Sequence, residues 1–248
     1  MKIKEGNYLV NNKKYLEKYL PKNKLKKGLK MLEKGIPVQY IVGNTSFCGY
    51  TINVNKDVLI PRFETEELVE NSIKLINKHF KGDLNVLEIG TGSGCISIAL
   101  KKELPTLNIK ATDISKKALK VAKKNAKLNN CDIEFIHTNL YDGINDKFDI
   151  IISNPPYISR NEKIMDIVYN NEPHIALFAD NNGTYFYEMI LKHISTIIKD
   201  KYLICFEIGE FQAKDIMNLV NTYLPESKVK IKKDLQKRDR MAFIYNFE

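Results

Sequence analysis

The period of the hydrophobic positions changes along this chain, and each change predicts a different element. From residue 7 to 34, Tyr8, Tyr15, Leu16, Tyr19 and Leu20 recur near i, i+3, i+4 spacing, and Leu25, Leu29 and Leu32 resume the pattern after Pro21. That predicts a helical segment with one break, ended by Gly35-Ile36-Pro37. Val38 to Gly43 and then Phe47 to Val54, where Tyr50, Ile52 and Val54 alternate with Thr51 and Asn53, read as strand and hairpin. Leu59-Ile60-Pro61-Arg62 closes this stretch, and helical spacing returns from Glu64 to Phe80 through Leu68, Ile73, Leu75 and Ile76.

From residue 84 strands and helices alternate. The expected strands are Leu84–Ile89, Asn108–Thr112, Ile133–His137, Phe148–Ser153, Tyr202–Glu207, Lys228–Lys232 and Met241–Tyr245. The expected helices are Cys95–Glu103, Lys116–Asn129, Gly183–Ile198 and Gln212–Tyr223. A continuous apolar run such as that within Phe148–Ile152 belongs to a strand covered on both faces. The fold expected is therefore α/β: a mainly parallel seven-stranded sheet, Rossmann-like, with helices on both sides and an antiparallel pair at one edge. Three units follow: a short basic helical segment over 1–35, a β-hairpin connector over 36–62, and the main domain over 63–248.

Composition narrows the class. The 248 residues are 44% hydrophobic and 28% charged, as in an ordinary globular protein. No apolar run approaches the roughly 20 residues of a membrane span, and the start Met1-Lys2-Ile3-Lys4-Glu5 lacks the pattern of a signal peptide. Cys48, Cys95, Cys131 and Cys205 lie far apart and form no Cys-x-x-Cys, so reduced thiols in the cytoplasm are expected and no metal site. The net charge is +9, of which residues 1–34 hold eight, with eleven lysines against Glu5, Glu17 and Glu33. Such a run either steers an acidic partner toward the main domain or is a solvated helical face.

The first candidate chemistry follows the strand Asn85–Ile89, which runs into Gly90-Thr91-Gly92-Ser93-Gly94 and a helix. Glycines here permit a tight turn and close backbone approach by a ligand at a helix N-terminus. A dinucleotide fingerprint requires glycine at position 95, which is Cys95. Gly-x-Gly-x-Gly preceded by the acid Glu88 is similar to the pattern of class I S-adenosylmethionine-dependent methyltransferases. Asp113 ends the next strand, about 20 residues on, where a carboxylate can accept both ribose hydroxyl hydrogens. Each feature alone has a plainer use, the glycines as a turn and Asp113 as a cap before Ser115; together and in register they predict a cofactor site.

The second candidate is Asn154-Pro155-Pro156-Tyr157, at the end of the strand Phe148–Ser153. In an open parallel sheet this turn faces the same crevice as Gly90–Gly94. Two prolines fix two φ angles and remove two donors, leaving a rigid loop. Asn154 can offer its side-chain oxygen, and Pro155 its carbonyl, to the two hydrogens of an –NH₂ group, while Tyr157 can stack on a planar amide or base. An amide or exocyclic amine nitrogen has its lone pair delocalised. Two acceptors on its hydrogens raise its electron density and aim it at a methyl donor, with proximity supplying much of the rate. These residues by themselves specify a planar –NH₂ group and no more.

Longer stretches resemble the HemK/PrmC family, the protein-(glutamine-N5) methyltransferases of peptide chain release factors. They are Pro37–Gly43, Val58–Glu66, Glu88–Gly94, Asp113, Asn154–Tyr157, Glu172-Pro173 with Ala176-Leu177, Glu207-Ile208-Gly209 and Asp239-Arg240, within a likeness covering roughly residues 36–248. The Ile60–Glu66 signature beside Asn-Pro-Pro-Tyr is specific, whereas the turn alone is shared with adenine-N6 methyltransferases of DNA or RNA. The resemblance implies transfer from S-adenosylmethionine to the glutamine of the Gly-Gly-Gln motif of a release factor. It implies that Gly90–Gly94, Asp113, Leu140 and Asn154 line the cofactor and that Asn154, Pro155, Pro156 and Tyr157 hold the glutamine amide. The sequence departs from the family at Phe63, where a second proline is usual, at Leu140, where an aromatic residue is common, and in its short N-terminal segment. The near-neutral main domain lacks the broad basic face of a nucleic-acid enzyme, so no stable nucleic-acid partner and no membrane partner is expected. A ribosomal protein is the alternative glutamine substrate.

Overall fold

The computed structural model describes the backbone of residues 5–248 and the side chains of residues 11–248. Lys2 and Lys4 of the basic run, the Met1–Lys4 start and the side chain of Tyr8 lie outside the described residues. The N-terminal segment is two helices, α1 (Glu5–Tyr19) and α2 (Lys22–Glu33), with the break at Pro21. A short helix α3 (Val38–Val42) follows, then the hairpin β1 (Asn44–Phe47) and β2 (Tyr50–Asn53).

Val38–Val42 corrects the strand reading of this stretch. Its residues favour strands, but Pro37 presents φ −54° ahead of the turn and Gly43, at φ 89°, caps it by donating to the Gln39 carbonyl at 2.7 Å. Val38 is thereby buried against Leu16 and Leu32, and tertiary packing overrides propensity. In the hairpin, Phe47 pairs with Tyr50, and Cys48 and Gly49 between them have φ 47° and 80°, the two left-handed residues of a type I′ turn. Phe47 and Ile52 are fully buried in the core of the main domain, so the hairpin is part of that domain's packing and more than a linker.

The main domain runs α4 (Phe63–His79), β3 (Asn85–Ile89), α5 (Cys95–Glu103), β4 (Asn108–Asp113), α6 (Lys116–Leu128), β5 (Glu134–His137) and β6 (Phe148–Ser153). It continues with β7 (Ile158–Ser159), α7 (Asp166–Asn171), β8 (Phe178–Ala179), α8 (Tyr185–Leu191), β9 (Ile198–Glu207), α9 (Ala213–Tyr223), β10 (Lys228–Lys233) and β11 (Asp239–Tyr245). Seven strands form one sheet in the order β10-β11-β9-β6-β3-β4-β5. The pairs among β9, β6, β3, β4 and β5 are parallel, and β11 joins β9 and β10 antiparallel. The fold is that of the class I methyltransferases expected above.

Period-two alternation sorts the sheet's side chains onto two faces. Val86, Ile150 and Ile152 pack on one side with Leu68, Ile98 and Leu100, and Leu87, Ile89 and Ile151 on the other with Tyr187, Ile190 and Ile216. All six residues of β6 are buried, so the turn after it leaves the centre of the sheet.

Two further differences lie between β6 and β9. The helix expected over Gly183–Ile198 is only Tyr185–Leu191, followed by a 3₁₀ turn over Ile194–Thr196, and β9 begins at Ile198, four residues before Tyr202. The polar run Lys199-Asp200-Lys201 falls in an irregularity of the ladder between Ile198 and Leu203 and is held by side chains: Lys199 donates to Asp149 at 2.7 Å and Asn246 to the Asp200 carbonyl. The parallel pair β7–β8 and helix α7 were not expected from the sequence. Among the described residues no helix is long and apolar enough to cross a membrane, and no cluster of three or more His, Cys, Asp or Glu is arranged to hold a metal.

Candidate active site

The loop after β3 is held open by its own backbone. Gly90 and Thr91 both donate to the Thr112 carbonyl of β4, at 2.9 and 2.8 Å. Gly92 has φ 54° and donates to Asp113 Oδ2 at 2.8 Å. Gly94 is a packing residue: at φ 82°, a Cβ there would lie 3.2 Å from that of Ala122, and its absence lets α5 start against α6.

Glu88 lies beneath this loop, fully buried. Its Oε2 accepts from the Thr91 hydroxyl at 2.7 Å, from the Ser97 backbone N–H at 3.1 Å and from the Ser97 hydroxyl. Its Oε1 has no hydrogen-bond partner among the described residues. Burial pushes the Glu88 carboxyl up to about 7, against the pull of those three donors. Asp113 accepts from Gly92 on one oxygen and from Ser115 N on the other, each at 2.8 Å; the cap of α6 itself is Ser115, whose hydroxyl accepts from Ala118 N at 3.2 Å, so the plainer reading of Asp113 as the cap does not hold. Each of its oxygens keeps a further lone pair for a ligand. Burial also raises the Asp113 carboxyl. Leu140, at φ 48°, lines the same cleft, its backbone anchored by Thr112 Oγ1 donating to its carbonyl at 2.6 Å.

The turn after β6 meets this site from the next strand. Ser153 Oγ donates to the Ile89 carbonyl at 2.7 Å, locking the carboxyl ends of β6 and β3 together. Asn154, Pro155 and Pro156 line the cleft shared with Glu88, Gly90–Ser93 and Asp113. Tyr157 is not on that wall. It is half-buried behind the turn, where its hydroxyl donates to Glu207 Oε1 at 3.1 Å and receives Arg240 Nη1 at 3.4 Å. Burial and the Glu207 charge raise its phenol well above the usual range. Its carbonyl accepts from Gln212 Nε2 at 2.9 Å, and a Cβ on Gly183 would fall 2.1 Å from that carbonyl oxygen, so the loop can pass only as glycine.

Three residues that the sequence did not single out for a role complete the arrangement. Asn154 Nδ2 donates to Thr65 Oγ1 at 3.1 Å, and Thr65 Oγ1 donates to Glu207 Oε2 at 2.6 Å. Arg240 donates to the Ile208 carbonyl at 3.0 Å beside them. All three lie inside stretches that carried the family resemblance, and that was their one signal; their meeting is made by the fold.

The roof has a similar origin. Tyr40 Oη of α3 donates to the Val58 carbonyl at 2.6 Å, and Ile60 N–H and Arg62 both donate to buried Glu172. Pro61 and Val58 from one segment thus face Pro173 and Ile175 from the other across the cleft.

The sequence comparisons agree with this geometry. A family model described as "Methyltransferase small domain" matches residues 65–171. The chain is 41% identical over 211 residues to a release factor glutamine methyltransferase of Streptococcus pneumoniae, covering 84% of this chain and 74% of that one. It is 44% identical over 220 residues to the protein of the same name from Flavobacterium psychrophilum, covering 86% and 76%. Among solved structures, the Thermus thermophilus 16S rRNA N2 G1207 methyltransferase superposes with a TM-score of 0.61 at 14% identity, over 82% of this chain and 50% of that one, a likeness of fold alone.

Proposed function

The chain belongs to the release factor glutamine methyltransferase family, and from that premise we propose that it methylates, in the cytoplasm, the side-chain N5 of the glutamine in the Gly-Gly-Gln motif of peptide chain release factors, with S-adenosylmethionine as donor. The observation that carries the chemistry is that Asn154 and Pro155 line one cleft with Glu88, Gly90–Ser93 and Asp113.

The cleft fits that donor. Glu88 Oε1 is a buried carboxyl oxygen without a hydrogen-bond partner among the described residues, beside the glycine loop and suited to an ammonium group. Asp113 retains one lone pair per oxygen that could accept from the ribose hydroxyls, Leu140 would flank the adenine, and Thr91, Ser93 and Asn154 complete the wall. When bound, the donor supplies a methyl group on a positively charged sulfur, an electrophile that needs no further activation.

The protein's part is to present the nitrogen. Asn154 Oδ1 and the Pro155 carbonyl each accept one hydrogen of the glutamine –NH₂, holding its plane and directing its lone pair along the line of transfer. Pro155 and Pro156 have no N–H that could compete for these acceptors. With a donor bound, the nitrogen would gain the methyl group and lose one proton, and no strong base would be needed because the methylated nitrogen is acidic. Tyr157 serves by anchoring the turn through Glu207.

The test is transfer from labelled S-adenosylmethionine to purified release factor, ribosomal protein or nucleic acid, with the methyl group located by mass spectrometry. A methylated glutamine in the release factor is expected. Label found only on adenine, or only on a ribosomal protein, overturns the proposal.

A further inference from the structure

We propose that Thr65 and Glu207 are positioning residues that fix which end of the Asn154 amide faces the substrate. The inference rests on the reading of Asn154 Oδ1 as an acceptor given above. An asparagine amide has two ends of nearly equal size and opposite hydrogen-bonding sense. Rotated by half a turn, Asn154 would present –NH₂ to the –NH₂ of the substrate, donor against donor. Something must break that symmetry, and the turn itself cannot: the two residues after Asn154 are prolines, without N–H groups.

The chain of bonds behind Asn154 supplies the polarity. Glu207 is fully buried, and its two carboxylate oxygens accept from two hydroxyls, Thr65 at 2.6 Å and Tyr157 at 3.1 Å. Arg240 stands beside them, bonded to the Tyr157 oxygen and the Ile208 carbonyl and 3.5 Å from Asp234; burial raises the Glu207 carboxyl, and the Thr65 hydroxyl, the Arg240 charge and the Tyr157 hydroxyl act against it in favour of the ionised form. A carboxylate only accepts, so the single proton of the Thr65 hydroxyl is committed to it, at a length usual for O–H to a charged oxygen. What remains on Thr65 Oγ1 is lone pairs. Only the –NH₂ end of Asn154 can bond to them, and it does so at 3.1 Å. The amide oxygen is therefore turned away from Thr65. A hydroxyl without Glu207 could donate or accept equally well; the buried charge makes it a one-way relay.

The relay also explains why its parts come from three places. Thr65 sits in the first turn of α4, Asn154 after β6 and Glu207 at the end of β9, so the orientation exists only when the carboxyl ends of two adjacent strands and α4 are assembled.

Three variants test the inference. Thr65→Val keeps the shape and removes the hydroxyl, Glu207→Gln keeps the volume and introduces a donor that frees the Thr65 proton, and Thr65→Ser keeps the relay. Binding of S-adenosylmethionine by calorimetry is expected to stay within about twofold in all three. Transfer to release factor is expected to show kcat lower by roughly 10- to 100-fold in Thr65→Val and Glu207→Gln, short of the roughly 100- to 1,000-fold for removing a transition-state bond outright, because the freed amide still samples the productive orientation. Thr65→Ser is expected to stay within about threefold. Wild-type kcat in Thr65→Val, or a loss in Thr65→Ser as large as in Thr65→Val, overturns the relay. A loss confined to KM for the donor in Thr65→Val overturns it too. If Thr65→Val does not fold, Glu207→Gln decides by the same kcat criterion. An Asn154→Ala variant with full transfer would instead defeat the reading of Asn154 itself, so the two failures are distinct.

Discussion

Arg62 donates to Glu172 at 2.6 Å across 110 positions of sequence, and the second oxygen of that carboxylate accepts the Ile60 backbone N–H at 3.0 Å. The pair joins the segment before α4 to the segment after α7, and the prolines flanking it, Pro61 and Pro173, line the cleft. The most specific stretch of the sequence is thus half of a clamp, and its other half is Glu172-Pro173. Glu172→Ala strands a buried N–H and one guanidinium face, which costs about 1–3 kcal/mol. The expected outcome is a lower thermal midpoint together with a raised KM for the release factor, read by calorimetric melting and steady-state transfer.

Asn154→Ala is expected to leave donor binding within a few fold while transfer falls by at least about 100-fold, since the acceptor it removes acts on the nitrogen in the transition state. Calorimetry and single-turnover labelling check it, and transfer unchanged would remove Asn154 from the mechanism.

Glu88 gives a pH dependence. Its folded carboxyl is raised, to about 7, by burial, so in the donor-free protein its contribution to stability is full below the ordinary carboxylate range and is lost as pH rises through about 7. Binding of a ligand ammonium favours the ionised form, so donor affinity is expected to increase from pH 6 to pH 8 with release of a proton. In Glu88→Gln both trends are expected to flatten. Denaturant melts and calorimetry in two buffers of different ionisation heat measure them.

Gly183→Ala combines φ 89° with a Cβ 2.1 Å from the Tyr157 carbonyl oxygen. The loop must move, and the turn it supports moves with it. A destabilisation of about 1–3 kcal/mol with loss of transfer is expected. A Gly183→Ala protein with wild-type melting and kcat would show that the turn does not depend on this contact.

Much of the fold was legible because its signals are local. The apolar run of β6 and the strand-loop-helix pattern at Gly90–Gly94 each state their structure within a few residues. The same holds for Asn154-Pro155-Pro156, whose rigidity is a property of proline itself. Illegible were the stretches where local preference lost to packing. Val38–Val42, five residues that suit a strand, form a helical turn because Val38 closes a small core with Leu16 and Leu32. Lys199–Lys201, polar enough to end an element, stay in β9 as an irregular stretch between Ile198 and Leu203, held by the side chains of Asp149 and Asn246.

The candidate site divides in the same way. The residue types and spacing predict a donor site at Glu88–Gly94 and Asp113 and a planar –NH₂ site at the Asn154–Tyr157 turn, because each rests on backbone geometry encoded over a few neighbouring positions. Only the tertiary structure decided that Tyr157 turns inward to Glu207, that Asp113 spends half its accepting capacity on its own backbone, and that Thr65 meets Asn154. The physical reason is that a hydrogen bond's direction depends on what its partner is already bonded to. For Asn154 that partner is 89 residues away, and the charge that orients it, on Glu207, lies a further 142 from Thr65.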